Sequence, residues 1–408
     1  MTHPSLSPRR EFWLLLTIAG VQFTHILDFM IMMPLGPQFT RLFGISDAQF
    51  GLLVSAYTLS AGLSGLAAAT YVDRFDRKRL LLTLYTLFAL ATLACGLAPG
   101  YGFLMAARVA AGVFGGVLSA LSQTIVADVV PFERRGRAMG IVMSSFSVAT
   151  VAGVPLGLFM ATHLSWHAPF FGIAALSGLF MLGAAVTLPR LNQHLQVANR
   201  PSIWRGIGMV LSEPNHLRAF GFSALLMFTG FTVVPFITIY MQTNVGLVDA
   251  QIPYIYLCGG VATLFTARLF GRMADRLGKV RTFNWLALGV TVPLMATTLL
   301  PRSPLWMVLL VSTSFFVFMS GRMIPGMALV TSAAHPPLRG TFMALNASVQ
   351  SAAMGLASLI GGVIISRDAA GQVQHYWAAG LLGVCASFAA IAMAGRLRLH
   401  DAGPRPAG

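Results

Sequence analysis

Of the twelve acidic residues in this 408-residue chain, only Asp28 stands well inside a long apolar stretch. A carboxylate in such surroundings is costly and is a functional-site candidate by default. Its chemistry would be proton exchange: low dielectric favours the acid, a neighbouring guanidinium favours the carboxylate, and a shift in that balance releases or captures a proton. Arg108, in another apolar stretch, is the cation that could exert the second pull; a permanent Asp28–Arg108 pair that only fixes two helices is the structural alternative. His25 lies one turn before Asp28 on the same helical face, where it could relay protons, line a polar cavity or be an ordinary satisfied histidine. Arg322, followed by Pro325-Gly326, is the other deep cation. It could meet Asp28 across a cavity, bond backbone carbonyls at the proline break, or bind an anionic substrate group. Arg268 is near a helix end and can snorkel.

Other chemistries lack their residues. The chain has no phosphate-cradling glycine loop followed by Lys-Ser/Thr and no metal-ligand spacing, so no enzyme activity, metal or cofactor is expected. Cys95, Cys258 and Cys385 each fall in apolar segments and read as packing residues.

The elements that must position Asp28 are membrane spans. Apolar residues make up 56% of the chain and charged residues 10%, under half the usual charged share of a soluble protein. The apolar runs are continuous and helix-length, which excludes an outer-membrane barrel. A hydropathy walk places twelve spans near 12–35, 48–70, 80–98, 102–127, 138–162, 168–188, 218–241, 250–271, 281–300, 304–333, 341–365 and 376–395. Asp28 then lies ~10 Å from the end of span 1, and Arg108 ~9 Å from the start of the antiparallel span 4. The two share one depth.

The net charge of +15 would suggest nucleic acid in a soluble protein, but here the basic residues sit in connectors, so no nucleic-acid partner is expected. Connectors on one side, with both termini, hold 21 Arg and Lys; the other side has Arg41, Arg302 and Arg367. The positive-inside rule makes both termini cytoplasmic, in a bacterial inner membrane. Arg9-Arg10-Glu11-Phe12-Trp13-Leu14 resembles a twin-arginine export signal, yet no small-residue cleavage site closes the apolar stretch, and it reads as a tail entering span 1. Within the one long connector, 189–217, residues 202–211 could form an interfacial helix bearing Arg205 or a plain linker.

That connector divides the spans six and six, and the halves repeat. Ala69 to Arg79 aligns with Gly271 to Arg281 at a spacing of 202, Arg135-Gly136 recurs as Arg339-Gly340 at 204, and Pro34 recurs as Pro235 at 201. The expected fold is therefore an all-α polytopic membrane protein: two pseudo-symmetric six-helix bundles, residues 1–188 and 218–408, joined by a cytoplasmic linker, with a cavity near the midplane.

These residues carry a resemblance to the major facilitator superfamily. The G-x-x-x-D-R-x-G-[RK]-x-[RK] signature after spans 2 and 8 is complete in the second copy, with Gly271, Asp275, Arg276 and Gly278. The first copy has Asp73, Arg74 and Arg77 but Ala69 and Asp76 where glycines are usual. Arg108-Val109-Ala110-Ala111-Gly112 is similar to the family's span-4 arginine motif. Gly153-Val154-Pro155-Leu156-Gly157 is similar to the span-5 motif of its drug and sugar exporters, the drug:proton antiporter and arabinose-efflux-like group. The resemblance implies that the span-2 and span-8 motifs latch the cytoplasmic side, and that Gly153, Pro155 and Gly157 kink and pack a gate helix.

The function expected is proton-coupled efflux of a small organic compound, drug-like or sugar-like, by alternating access, with Asp28, Arg108 and His25 coupling protons. The alternative is an organic-anion exchanger or uptake facilitator using Arg108 and Arg322. A receptor or scaffold without transport is disfavoured by gate motifs in both halves. Candidate cavity residues are Gln22, Phe29, Met32, Tyr57, Phe228, Phe231, Tyr254, Tyr256 and Arg322. The partners expected are a small-molecule substrate, protons and the lipid bilayer, with the chain acting as a monomer.

Overall fold

The computed structural model describes residues 8–130, 134–189, 191–192 and 203–400. Those residues contain twelve helical spans long and apolar enough to cross a membrane. The helices are α1 (Pro8–Ile31), α2 (Gly36–Phe43), α3 (Asp47–Tyr71), α4 (Arg77–Gly96), α5 (Tyr101–Val129) and α6 (Arg135–Val148). Next come α7 (Val154–His163), α8 (Ala168–Thr187), α9 (Ile203–Ser212), α10 (Pro214–Phe231), α11 (Ile237–Tyr240) and α12 (Ile252–Leu277). The chain ends with α13 (Lys279–Gly289), α14 (Thr291–Leu299), α15 (Leu305–Ala333), α16 (Arg339–Ile364) and α17 (Tyr376–Ala394). A small antiparallel hairpin of β1 (Ser366–Arg367) and β2 (Val373–Gln374) precedes α17.

Prolines set the breaks. Span 1 ends at Ile31, short of the expected 35, because Pro34 has no N–H to continue the ladder and its ring crowds the preceding turn. Span 7 is longer than expected, Pro214–Val245, and is interrupted by a 3-10 turn, Val234–Phe236, around Pro235. Span 9 divides into α13 and α14, where Pro293 cannot donate to the carbonyl of Gly289. Span 5 carries a π-turn, Ala149–Gly153, just before Pro155, the kind of local widening that bends a helix.

The chain divides into two compact units, one of Met1–Ile45 with Ala56–Arg200 and one of Ser46–Ser55 with Pro201–Gly408. In unit 1, α1 packs on α5, α6 and α8, and α4 on α5 and α8. Its core includes Ile18, Tyr85, Phe88, Leu118 and Ile125. In unit 2, α10 packs on α15, α16 and α17, and α12 and α13 on α15, around Phe222, Phe283, Leu329 and the stacked rings of Phe220 and Phe342. Leu63, Val186, Phe265 and Val292 are all at least 70% exposed; such side chains suit contact with lipid and would be a liability in water.

Ser46–Ser55 is tied into unit 2 by polar contacts. Arg367 grips Asp47 with two parallel hydrogen bonds, Nε to Oδ2 at 2.8 Å and Nη2 to Oδ1 at 2.7 Å. That fork, opposed by partial desolvation, holds the guanidinium above its ordinary pKa. Ser55 Oγ donates to the Gly355 carbonyl and Ser358 Oγ to the Gly51 carbonyl. A side chain at Gly51 would lie 2.8 Å from the Ser358 oxygen, so glycine is what permits this approach.

Candidate functional site

Because α1 stops at Ile31, its last carbonyls, Asp28's among them, have no donor from their own helix. Arg108 of α5 meets both needs at this end. Its Nη1 donates to the Asp28 carbonyl at 3.3 Å and to Asp28 Oδ2 at 2.7 Å. Both side chains are wholly buried. The guanidinium carbon sits 4.4 Å from the centre of the Tyr57 ring, a cation–π contact that desolvation strengthens. Phe29 stacks on Tyr57, and the His25 ring lies about 6 Å from both Tyr57 and Phe88. Thr92 and Cys95, neighbours on α4, complete the surroundings of the pair.

Close packing by glycine makes this assembly possible. A Cβ on Gly112 would fall 2.3 Å from the Tyr57 carbonyl, and one on Gly115 would fall 2.6 Å from the Tyr57 hydroxyl and 2.7 Å from the His25 ring. On the other side of α1, Gly153 faces Leu27 and Gly157 faces Ile31, again closer than a side chain allows. The span-5 motif thus seats α7 against the turn that carries Asp28.

The pair is incompletely satisfied. Asp28 Oδ1, Arg108 Nε and Nη2, Tyr57 OH, Thr92 Oγ1, His25 Nδ1 and Gln22 Oε1 are buried without hydrogen-bond partners. Buried polar groups are normally paired, and each exception calls for an explanation, a role in chemistry or a bound water among them. One carboxylate oxygen is engaged by a cation while the other retains its accepting capacity, which is a competent arrangement for taking up a proton.

Gln22 donates to Ser119 Oγ at 3.3 Å, and Met32 is wholly buried in the turn after α1. The remaining candidate cavity residues are in unit 2. Phe228 and Phe231 are partly buried, Tyr254 is half exposed, and Tyr256 is buried with its hydroxyl bonded to Thr238. Arg322 is wholly buried, and its Nη2 donates to the Leu226 carbonyl of α10 at 2.8 Å. That carbonyl lies on another helix, so Arg322 does not serve its own proline break. Met319 sulfur also faces it, Nη1 has no partner, and among the described residues no carboxylate pairs with it.

The two signature motifs end their helices differently. Arg77 pairs with Asp128 at 2.5 Å within unit 1, Lys78 Nζ caps the Ala185 and Leu188 carbonyls near the end of α8, and Asp76 caps α4 through the Arg79 N–H. Arg74 is exposed, and the side chain of Asp73 lies outside the described residues. In the second copy, Gly278 makes the turn at φ +88°, Asp275 and Arg276 are exposed, and Gly271 has open space beside it. The sequence did not single out Thr92 or the Asp47–Arg367 fork, and it marked Cys95 only as a packing residue. The only hint of the fork was an acidic residue in the first turn of a helix.

The family model described as Major Facilitator Superfamily matches residues 18–358, with a second match over 219–407. The chain belongs to the major facilitator superfamily. It is a multi-pass membrane transporter of that family and not an enzyme. The "Uncharacterized MFS-type transporter YceJ" of Bacillus subtilis (strain 168) is 26% identical over 88% of this chain and 90% of its own. A "Chloramphenicol resistance protein" of Streptomyces lividans is 25% identical over 85% and 87%. A "Probable sugar efflux transporter" of Pasteurella multocida (strain Pm70) is 21% identical over 94% and 91%. Among solved structures, a D-xylose-proton symporter superposes with a TM-score of 0.77 at 17% identity, covering 97% of this chain and 99% of its own. A bacterial homologue of the human lysosomal transporter Spinster also gives 0.77, at 17% identity over 98% and 100%. At these identities the two structures speak for the fold of this facilitator.

Proposed function

We propose that this facilitator exports a small organic compound in exchange for protons, and that Asp28 is the proton carrier. The observation that carries the reading is the wholly buried Asp28–Arg108 pair, with one carboxylate oxygen held at 2.7 Å and the other unpartnered. When Arg108 turns its charge toward Asp28, the carboxylate is favoured. When substrate or a change of conformation draws the guanidinium away, the acid is favoured. Tyr57 holds the guanidinium from the other side, and His25 is placed one turn away to pass the proton on. The likeness to a chloramphenicol resistance protein and to a sugar efflux transporter supports the outward direction. In this reading both termini are cytoplasmic, the membrane is a bacterial inner membrane, and one chain suffices.

The test is substrate-induced proton release from purified protein in weak buffer, across cationic, neutral and anionic compounds. Wild type is expected to release protons with a subset of the panel, and Asp28→Asn to bind the same compounds without release. Equal release from Asp28→Asn would overturn the assignment. A second reading, an organic-anion exchanger, rests on Arg322, a buried cation with no carboxylate beside it among the described residues. It predicts binding confined to anions, no proton release, and loss of that binding in Arg322→Ala.

A further inference from the structure

A groove of about 770 Å³ opens between α13 and α17 of unit 2, within the ~300–1,000 Å³ typical of small-ligand sites. Trp285, Leu288, Phe388 and Ile391 make its walls, and Lys279 and Arg281 stand at one end. Along α13, residues 281, 284, 285 and 288 share one helical face. The order on that face is a cation, then the Asn284 amide ~4.5 Å further along, then Leu288 ~6 Å beyond that. A glycerophospholipid has the same order: phosphate, glycerol esters, acyl chain.

Three observations favour an anionic lipid over a bare apolar contact. First, the charge at this end is uncompensated. At the repeat spacings, Lys279 corresponds to Arg77 (77 + 202) and Ser332 to Asp128 (128 + 204). Unit 1 neutralises its cation with a carboxylate, whereas Lys279 Nζ donates to the neutral Ser332 Oγ at 2.7 Å. No carboxylate pairs with Lys279 or Arg281 among the described residues. Second, Asn284 Oδ1 is buried without a partner, at the level where a lipid carries its polar glycerol region. The Nδ2 group of the same amide carries the N–H donors that an ester carbonyl needs. Third, the mouth is built in advance. Asn215 holds the Arg398 backbone on both sides, at 2.9 and 3.0 Å, and the His400 N–H bonds the Ser332 carbonyl. Leu399, which lines the groove, is fixed between these anchors, so little ordering is left for the ligand to impose.

We propose that this groove binds an anionic glycerophospholipid, with its phosphate at Lys279 and Arg281, its glycerol esters at Asn284, and one acyl chain along Trp285, Leu288 and Phe388. Membrane crossing is all that the assignment requires; it is independent of substrate and of proton coupling.

The experiment reconstitutes the full chain in phosphatidylcholine vesicles and titrates phosphatidylglycerol with brominated acyl chains, which quench nearby tryptophan. The Trp285 signal is isolated by difference from Trp285→Phe. Brominated phosphatidylglycerol is expected to quench at about fivefold lower mole fraction than brominated phosphatidylcholine for each paired cation. Arg281→Gln and Lys279→Gln should each remove about that factor, while Arg302→Gln, outside the groove, should leave the preference intact. Arg281 is exposed, so its loss is compatible with folding. Equal quenching by the two lipids in wild type, or a preference that survives both groove substitutions, would overturn the proposal.

Discussion

Among the described residues, Arg108 and Arg322 are the two largest wholly buried side chains, one in each unit. They ride on helices of equal length, α5 and α15, both 29 residues and starting 204 residues apart. Yet the arginines do not correspond. At that spacing Arg108 matches Ser312 (108 + 204), and Arg322 matches the buried Leu118 (118 + 204). At the Pro34-to-Pro235 spacing, Asp28 matches Thr229 (28 + 201). Both hydroxyls are satisfied on their own helices, Ser312 by Val308 and Thr229 by Leu225. Unit 2 therefore has no copy of the ion pair, and Arg322 is a separate cation held by a backbone carbonyl. The Arg77–Asp128 and Lys279–Ser332 contacts repeat the pattern: the same two positions touch in both units, ionic in the first and neutral on one side in the second. The halves share these helix contacts and the signature aspartates, Asp73 and Asp275, but not these two ion pairs.

The strongest way to break this contrast is to remove each arginine. Arg108→Met leaves Asp28 buried and unpaired, and such a loss costs ~3–5 kcal/mol. Asp28→Asn in the same chain should recover most of that stability, because no bare charge then remains. A thermal unfolding series in detergent on wild type, the single and the double variant reads both effects. If Arg108→Met alone unfolds no earlier than the double variant, the pair is not what makes Arg108 necessary. Arg322→Met should behave oppositely. Replacing an unpaired buried cation by an apolar side chain of similar size removes a desolvation cost with no ion pair to lose, and is expected to be neutral or stabilising. A large loss of stability there would mean that the Leu226 carbonyl contact matters more than the cost of burying the charge.

Much of this is legible in the sequence. Twelve spans follow from hydropathy, and a lone acid inside one of them singles out Asp28. Equal depth in antiparallel spans then brings Arg108 to it. What the sequence hides is lateral: which helix face meets which. Tyr254 and Tyr256 are two residues apart and on nearly opposite faces, so one is exposed and the other buried. The Asp47–Arg367 fork joins residues 320 positions apart, and no local spacing can announce such a contact. Nor does periodicity say that Arg108 would also cap the cut end of α1. That follows only once Pro34 is known to stop the helix at Ile31.

A packing exchange gives the next test. Tyr57 corresponds to Gly259 (57 + 202), and Gly112 to Phe316 (112 + 204). In unit 1 the large ring is on α3 and the glycine on α5; in unit 2 the glycine is on α12 and the ring on α15, with Phe316 2.5 Å from where a Gly259 Cβ would be. The obstacles differ in kind. Gly112→Ala would strike backbone, the Tyr57 carbonyl at 2.3 Å, whereas Gly259→Ala would strike a ring that can swing. Overpacking costs ~1–3 kcal/mol, and Gly112→Ala is expected at the upper end with Gly259→Ala at the lower. Gly112→Ala should also weaken transport, since it moves Tyr57 off Arg108. Equal melting shifts for the two would show that α3 yields as easily as a side chain.

The smallest expected effect separates the two signature motifs at their turns. Asp76 and Gly278 are equivalent (76 + 202), but Asp76 has φ −58° and caps α4 with its side chain, while Gly278 has φ +88° and ψ 148°. The second conformation is reserved almost wholly for glycine, and another residue there is strained by ~1–3 kcal/mol. The first is open to any residue, and replacing an N-cap Asp by Gly costs only ~0.3 kcal/mol. The exchange should therefore be one-sided. Asp76→Gly, which gives the first copy the residue usual in the motif, should melt within a degree or two of wild type, and Gly278→Asp should melt clearly lower. If Asp76→Gly were the more damaging of the two, the Asp76 carboxylate would be holding more than the first turn of α4, and the loop before that helix would be the place to look for its partner.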